Sequence, residues 1–187
     1  MTKKLGFLVN CERCVGCHTC EMACKNYYQQ DPGIRWRKVA LVKEGINTTV
    51  PVREYISLAC NHCEEPACMK VCPVSAYEKR EDGIVLHKYD LCIGCKLCIE
   101  ACPYTVPEYN KDKEKVEKCH MCYEKLDKGE KPACVAGCPL DAIDVIDLNS
   151  TTETGFTTEY AGFADPSVTK PSTRFIKPVE IKQIRRD

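Results

Sequence analysis

Sixteen of the 17 cysteines in this 187-residue chain fall into four quartets, and no other feature limits its possible folds so tightly. The first quartet is Cys14, Cys17, Cys20 and Cys24, and the third is Cys92, Cys95, Cys98 and Cys102; both are spaced C-x2-C-x2-C-x3-C. The second, Cys60, Cys63, Cys68 and Cys72, widens the middle gap to four residues. In the fourth, Cys119, Cys122, Cys134 and Cys138, that gap is eleven residues. Proline follows Cys72, Cys102 and Cys138. Two-residue gaps let one tight loop present successive sulfurs to the irons of a single cube. Gly16 and Gly94 lie inside such loops, where a missing Cβ permits positive φ and close backbone approach. Backbone N–H groups of the loop then point at the sulfurs and stabilise their charge. The last cysteine of each quartet follows the third by about one helical turn.

The quartets also repeat one another. Cys14-Val15-Gly16-Cys17 through Ala23-Cys24 aligns with Cys92-Ile93-Gly94-Cys95 through Ala101-Cys102, matching every cysteine, the glycine and the alanine. Cys11 falls outside this register and is the spare, expected to be a small buried residue. Quartets two and four share Pro66-Ala67-Cys68 through Cys72-Pro73 and Pro132-Ala133-Cys134 through Cys138-Pro139. The run C-x2-C-x2-C-x3-C-P is the bacterial ferredoxin ligand pattern, in which the fourth cysteine ligates the neighbouring cluster. The expectation is four 4Fe–4S clusters held by sixteen cysteines. The competing readings are a disulfide scaffold, which an odd cysteine count suits poorly, and a zinc-binding structural or nucleic-acid module.

Composition agrees with a metal-built interior. Leu, Ile, Val and Phe supply only 40 residues, little above the level of chains that do not fold. Basic and acidic residues balance at 27 each. Each oxidised four-thiolate cubane adds about two negative charges, roughly eight over four clusters, so the loaded protein is acidic and nucleic-acid binding is not expected. Lys3 and Lys4 precede an apolar run too short for a signal-peptide core, and no stretch approaches the length of a membrane span. No Ser/His/Asp set, phosphate loop or nicotinamide fingerprint is present, so substrate chemistry is expected in a partner and not here.

Patterning predicts an α+β, ferredoxin-like fold with short helices and strands around the ligand loops. Strands are expected at Leu5–Val9, Val50–Leu58, Ile84–Leu86 (after the turn Glu81-Asp82-Gly83) and near Ile143–Ile146. Residues 25–48 read as an irregular insertion, and 149–173, rich in Thr, Ser, Gly and Pro, as a loop or a tail ordered by a partner. His18, His62 and His120 each occupy a C-x2-C gap; hydrogen bonding around the clusters or plain exposure suits them better than ligation. Arg13, Lys25, Lys70, Lys96 and Lys118 flank the loops, either raising potentials or lining a solvated face. Trp36, between Arg35 and Arg37, is an interface anchor or a plug of the insertion against a lobe.

Taken together, the four motifs in this order, with the long gap in the last, make residues 5–147 resemble the electron-transfer (beta) subunits of molybdopterin oxidoreductases. That family includes the B subunits of dimethyl sulfoxide, polysulfide, thiosulfate and tetrathionate reductases and the beta subunits of formate dehydrogenases. The resemblance implies two nested ferredoxin-like lobes, 1–48 with 103–147 from motifs one and four, and 49–102 from motifs two and three. Residues 148–187 would be a C-terminal extension in contact with a partner. It implies four ligand sets: Cys14, Cys17, Cys20 and Cys138; Cys24, Cys119, Cys122 and Cys134; Cys60, Cys63, Cys68 and Cys102; and Cys72, Cys92, Cys95 and Cys98. Spacing alone equally permits a sequential pairing of motifs. In nitrate reductase beta subunits tryptophan replaces the second cysteine of motif three and a three-iron cluster results; Cys95 stands here, so four cubanes are expected. The implied partners are a molybdopterin or tungstopterin catalytic subunit and a membrane anchor subunit or soluble electron carrier. The implied location is a membrane-associated complex, periplasmic if a signal-bearing partner exports it and otherwise cytoplasmic. A polyferredoxin serving a carbon monoxide dehydrogenase or hydrogenase is the alternative.

Overall fold

A computed structural model describes residues 2–44, 53–151, 155–160 and 162–178. Its organising strand is β1 (Leu5–Asn10), whose alternation buries Phe7 and Val9. β1 is the centre of a three-stranded sheet. On one side β8 (Ile143–Asp147) pairs antiparallel, from Leu5 opposite Asp147 to Val9 opposite Ile143. On the other, β9 (Arg174–Ile176) runs parallel, with Leu8 opposite Arg174 and Asn10 opposite Ile176. A parallel neighbour demands a crossover, and residues 155–173 belong to it. The stretch expected to be a loop or partner-ordered tail is thus held by the chain itself. Tyr160, Phe163 and Phe175 pack with Val9, Cys11 and Ile56. A helical turn, α6 (Pro166–Thr169), is capped by the Asp165 carboxylate, which accepts from the Ser167 N–H at 2.8 Å.

Over the described residues 25–44, the chain is not the irregular insertion that the Pro32-Gly33 and Glu44-Gly45 pairs indicate for 25–48. α1 (Thr19–Tyr27) extends into them, and β2 (Lys38–Glu44) forms a strand antiparallel to β3 (Arg53–Leu58). The run Lys38-Val39-Ala40-Leu41-Val42 is β-capable, and its ladder partner is the segment expected to be extended. Residues 45–52 lie outside the described residues, so the first part of the expected strand Val50–Leu58 does too. Two short hairpins complete the strands. β4 (Tyr77–Lys79) pairs with β5 (Val85–His87), and β6 (Glu108–Asn110) with β7 (Lys115–Glu117). β5 begins one residue later than expected because Asp82 accepts from the Ile84 N–H and keeps that residue in the turn.

The remaining helices are single turns: α2 (Ala67–Lys70), α3 (Leu97–Ala101), α4 (Tyr123–Leu126) and α5 (Ala133–Ala136). Proline after Cys72, Cys102 and Cys138 disfavours the α region at the preceding cysteine, and α2, α3 and α5 all end before it, with Cys102 in the extended region. α1 packs on α5 and α2 on α3, so the helix of motif one meets that of motif four, and motif two meets motif three. The largest buried cluster joins Phe7, Ile84, Met121, Val135 and Ile143 to Cys20, Cys24, Cys60, Cys119 and Cys134. Cysteine supplies much of the core that a chain poor in large aliphatics lacks.

Candidate metal centres

The repeated loops hold the geometry that their glycines require. Gly16 and Gly94 both sit at φ +71°, and a Cβ would meet the Tyr55 ring at 2.5 Å in the first and the Glu114 carbonyl oxygen at 2.3 Å in the second. His18 and Lys96, two residues on, take left-handed conformations and start α1 and α3. This alternation turns N–H groups inward. Gly94 N–H donates to Cys92 Sγ at 3.5 Å and Met121 N–H to Cys119 Sγ at 3.3 Å. After the third-position helices, Ala76 N–H donates to Cys72 Sγ and Ala142 N–H to Cys138 Sγ, each at 3.3 Å, the same contact in motifs two and four.

Cysteines distant in sequence are brought together around cavities. Cys14, Cys17, Cys20 and Cys138 line one. Cys60, Cys63, Cys68 and Cys102 line a second, and Cys72, Cys92, Cys95 and Cys98 a third, each partly open to solvent. Cys24, Cys119, Cys122 and Cys134 are all buried, and Cys24 and Cys122 interact electrostatically with Cys134. The sulfurs surround a space; among the described residues, no three Cys, His, Asp or Glu side chains converge on one ion position. Cys11 is buried outside these sets, beside Tyr160.

The electrostatics point the same way. Burial pushes the Cys24 and Cys68 thiols up to about 12, with neighbouring cysteines adding to the shift, and Cys63 up to about 11. Cys119 is raised further by burial and by Cys24 and Cys60. Such thiols ionise at neutral pH only when cations take up the charge, as metal ligation does. Cys17 is the opposite case: the Thr19 hydroxyl donates to its sulfur at 3.4 Å and lowers it.

The flanking residues divide by burial. His62 is fully buried, and its Nδ1 accepts from the Val85 N–H at 3.0 Å; burial holds it neutral. His120 packs edge-on against Tyr28 and Trp36, whereas His18 is half exposed, near Glu21. Arg13 is exposed, Lys70 pairs with Glu65 at 2.8 Å, and Lys96 lies over the Tyr109 ring at 3.9 Å. Lys25 donates to the carbonyls of Asp31 and Ile34, pinning the segment after α1. Lys118 departs from the solvated-face reading: it is buried, and its ammonium donates to the carbonyls of Val85 and Cys119. Trp36 is the plug, stacked near Tyr28 with its indole N–H donating to Glu117 at 3.2 Å. Sequence reasoning missed Gln30, whose amide donates to Cys24 Sγ at 3.3 Å, Ser57 at 3.3 Å from Cys20 Sγ, and the burial of Arg37. None of the three lies in a cysteine motif, so only the fold could reveal them.

Comparison with known proteins identifies the group that these residues suit. Residues 51–148 match the 4Fe-4S dicluster domain family and residues 12–28 the 4Fe-4S binding domain family. The sequence is 44% identical over 151 residues to the B subunit of the anaerobic dimethyl sulfoxide reductase of Escherichia coli, covering 77% of this chain and 74% of that one. It is 35% identical to the B subunit of the anaerobic dimethyl sulfoxide reductase of Haemophilus influenzae, over 99% of this chain and 94% of that one. To the formate dehydrogenase iron-sulfur subunit of Wolinella succinogenes it is 32% identical, over 74% and 78%. The chain therefore carries 4Fe–4S clusters and transfers electrons, with substrate chemistry left to another subunit. On its cysteine motifs, its matched domains and these relatives, the chain belongs to the iron–sulfur subunits of the molybdopterin oxidoreductase family.

Proposed function

We propose that the chain is a two-ended relay of four 4Fe–4S clusters in two ferredoxin-like lobes, residues 1–48 with 103–147 and residues 49–102. The ligand sets are Cys14, Cys17, Cys20 and Cys138; Cys24, Cys119, Cys122 and Cys134; Cys60, Cys63, Cys68 and Cys102; and Cys72, Cys92, Cys95 and Cys98. The three four-cysteine cavities and the one buried set support this grouping, as does the pairing of α1 with α5 and α2 with α3. Bound clusters supply one-electron oxidation and reduction. The protein's share is to hold them in order, exclude water and set their potentials through N–H donors, charge and burial.

One observation carries the two-ended reading. Of the 17 cysteines, only Cys17 and Cys95 are exposed, and they occupy equivalent places in the two repeated loops, one in the first set and one in the last. Beside them Val15 and Ile93 are 60% and 62% exposed. Apolar residues left in water next to a cluster loop are surfaces for a redox partner. A molybdopterin or tungstopterin catalytic subunit meets the Cys17 end. A membrane anchor subunit reacting with quinone, or a soluble carrier, meets the Cys95 end, and residues 148–187 contribute partner contact. Among the described residues no helix is long and apolar enough to cross a membrane. The complex is placed at a membrane through its anchor, on the periplasmic side if a signal-bearing partner exports it and otherwise in the cytoplasm.

Anaerobic co-purification tests this. The expected complex contains a molybdenum- or tungsten-bearing subunit and about sixteen irons per copy of this chain. A hydrogenase or carbon monoxide dehydrogenase partner would overturn the pairing, and about eight irons would overturn the four-cluster count.

A further inference from the structure

Arg37 is 2% exposed and has no carboxylate partner among the described residues. Charged side chains are almost never buried so completely unless paired. Its Nη1 donates to the Ser57 carbonyl at 3.3 Å and to Ser57 Oγ at 3.1 Å. The guanidinium lies over the Phe7 ring, 4.5 Å from its centroid. Nε and Nη2 are buried and have no hydrogen-bond partner in the protein. A guanidinium cannot lose its proton to relieve this, so the open donors call for acceptors and the buried charge for a negative group beside them.

Phe7, the ring beneath the guanidinium, belongs to one buried cluster with Cys20, Cys24, Cys119 and Cys134; burial disfavours the Arg37 cation, and these four thiols are the charges that favour it. Three belong to the buried set of Cys24, Cys119, Cys122 and Cys134. The fourth, Cys20, belongs to the set of Cys14, Cys17, Cys20 and Cys138, and Ser57 connects Arg37 to it. Arginine only donates, so Ser57 Oγ accepts from Nη1 and is free to donate its own proton to Cys20 Sγ, 3.3 Å away. One arm of the fork thus reaches one set through a hydroxyl, and two unused donors remain for the other.

Resting on the four-cluster reading, we propose that Arg37 is a potential-setting residue, the fixed counter-cation shared by these two sets. Its Nε and Nη2 donate to sulfur of the buried set, and Nη1 acts through Ser57 on Cys20. Each cluster gains a negative charge on reduction, and a buried positive charge stabilises the reduced form more than the oxidised one. Arg37 therefore holds the buried set at a higher potential than its thiolates and surroundings alone would give.

The test is a redox titration of the assembled complex, followed by electron paramagnetic resonance, with iron counts on every sample. Arg37→Met removes the charge and keeps an unbranched side chain. It is expected to lower one midpoint enough to change that cluster's oxidised-to-reduced ratio at least tenfold at fixed potential, which is 59 mV for one electron. Arg37→Lys keeps the charge and should restore most of the shift, which a merely structural role would not predict. Should Arg37→Met fail to assemble, the unmodified protein still decides. With 15N-labelled arginine, its reduced clusters should show a 15N hyperfine coupling that Arg37→Lys removes. A fully loaded Arg37→Met protein with unchanged midpoints, or an unmodified protein with no arginine coupling, overturns the proposal. Iron counts on the unmodified protein judge the four-cluster reading separately.

Discussion

Gly94 allows the loop geometry to be tested against a control built into the same chain. Gly94 and Gly129 share nearly one φ, +71° and +75°, but a Cβ on Gly94 meets the Glu114 carbonyl oxygen at 2.3 Å while one on Gly129 meets nothing within 4 Å. Alanine at either position bears the left-handed penalty of roughly 1–2 kcal/mol. For a chain of this length that lowers an apparent melting midpoint by about 2–8 °C. Gly94→Ala bears a second cost, because the oxygen it strikes is backbone in the turn between β6 and β7 and cannot swing aside. Displacing that turn pulls β7 away from the loop, including the Val116 N–H that lies 3.5 Å from Cys92 Sγ. The expected result is that Gly129→Ala keeps all its iron, with a midpoint shift inside that range. Gly94→Ala should lose about four irons of about sixteen, together with one cluster signal. The assay is iron and sulfide quantitation with electron paramagnetic resonance on anaerobic preparations made in parallel. If Gly94→Ala retains full iron and shifts no further than Gly129→Ala, the close approach of the Glu114 carbonyl does not shape the ligand loop.

Three other outcomes follow from the ligand sets. Cys11→Ser should leave the iron count intact, since Cys11 is buried beside Tyr160 and outside the cavities, whereas Cys14→Ser should perturb one cluster; iron counts showing the reverse would refute the register of motif one. Stripping iron with a chelator under reducing conditions should abolish the cooperative thermal transition, because the core is built around Cys20, Cys24, Cys60, Cys119 and Cys134, which come from segments distant in sequence that the metal joins; an unchanged transition in calorimetry would contradict this. Cys95→Trp should convert the last cluster to a three-iron form and slow quinol-driven turnover while dye-driven turnover persists. A new three-iron resonance with both rates unchanged would show that electrons do not enter at the Cys95 end.

Much of this was legible because cysteine ligation is written in local spacing. The quartets, the positive φ of Gly16 and Gly94, and strands β1 and β8 all follow from residues within a few positions of each other. β2 was not, because the Pro-Gly and Glu-Gly pairs beside it are strong loop signals and its ladder partner lies beyond residues 45–52. Nor was the fate of Lys118, since next to Cys119 it reads as an exposed cation, and only the approach of the Val85 carbonyl from another hairpin buries it. Arg37, beside Trp36, reads as part of either an interface anchor or a plug of the insertion, and neither reading reaches its surroundings, which come from β1, β3 and two separate cysteine quartets.

The parallel pairing of β9 with β1 also bears on how the molecule is made. β1 is translated well before both of its neighbours, since its flanks are supplied by residues 143–147 and 174–176. At typical synthesis rates it waits on the order of ten seconds with both edges open. Motifs two and three emerge during that interval, and their helices α2 and α3 need nothing translated later than residue 101 to meet. Motifs two and three should therefore mature before the sheet of β1, β8 and β9 closes beside them. During that wait the open strand is a docking edge for a chaperone or, in its absence, for a second nascent chain.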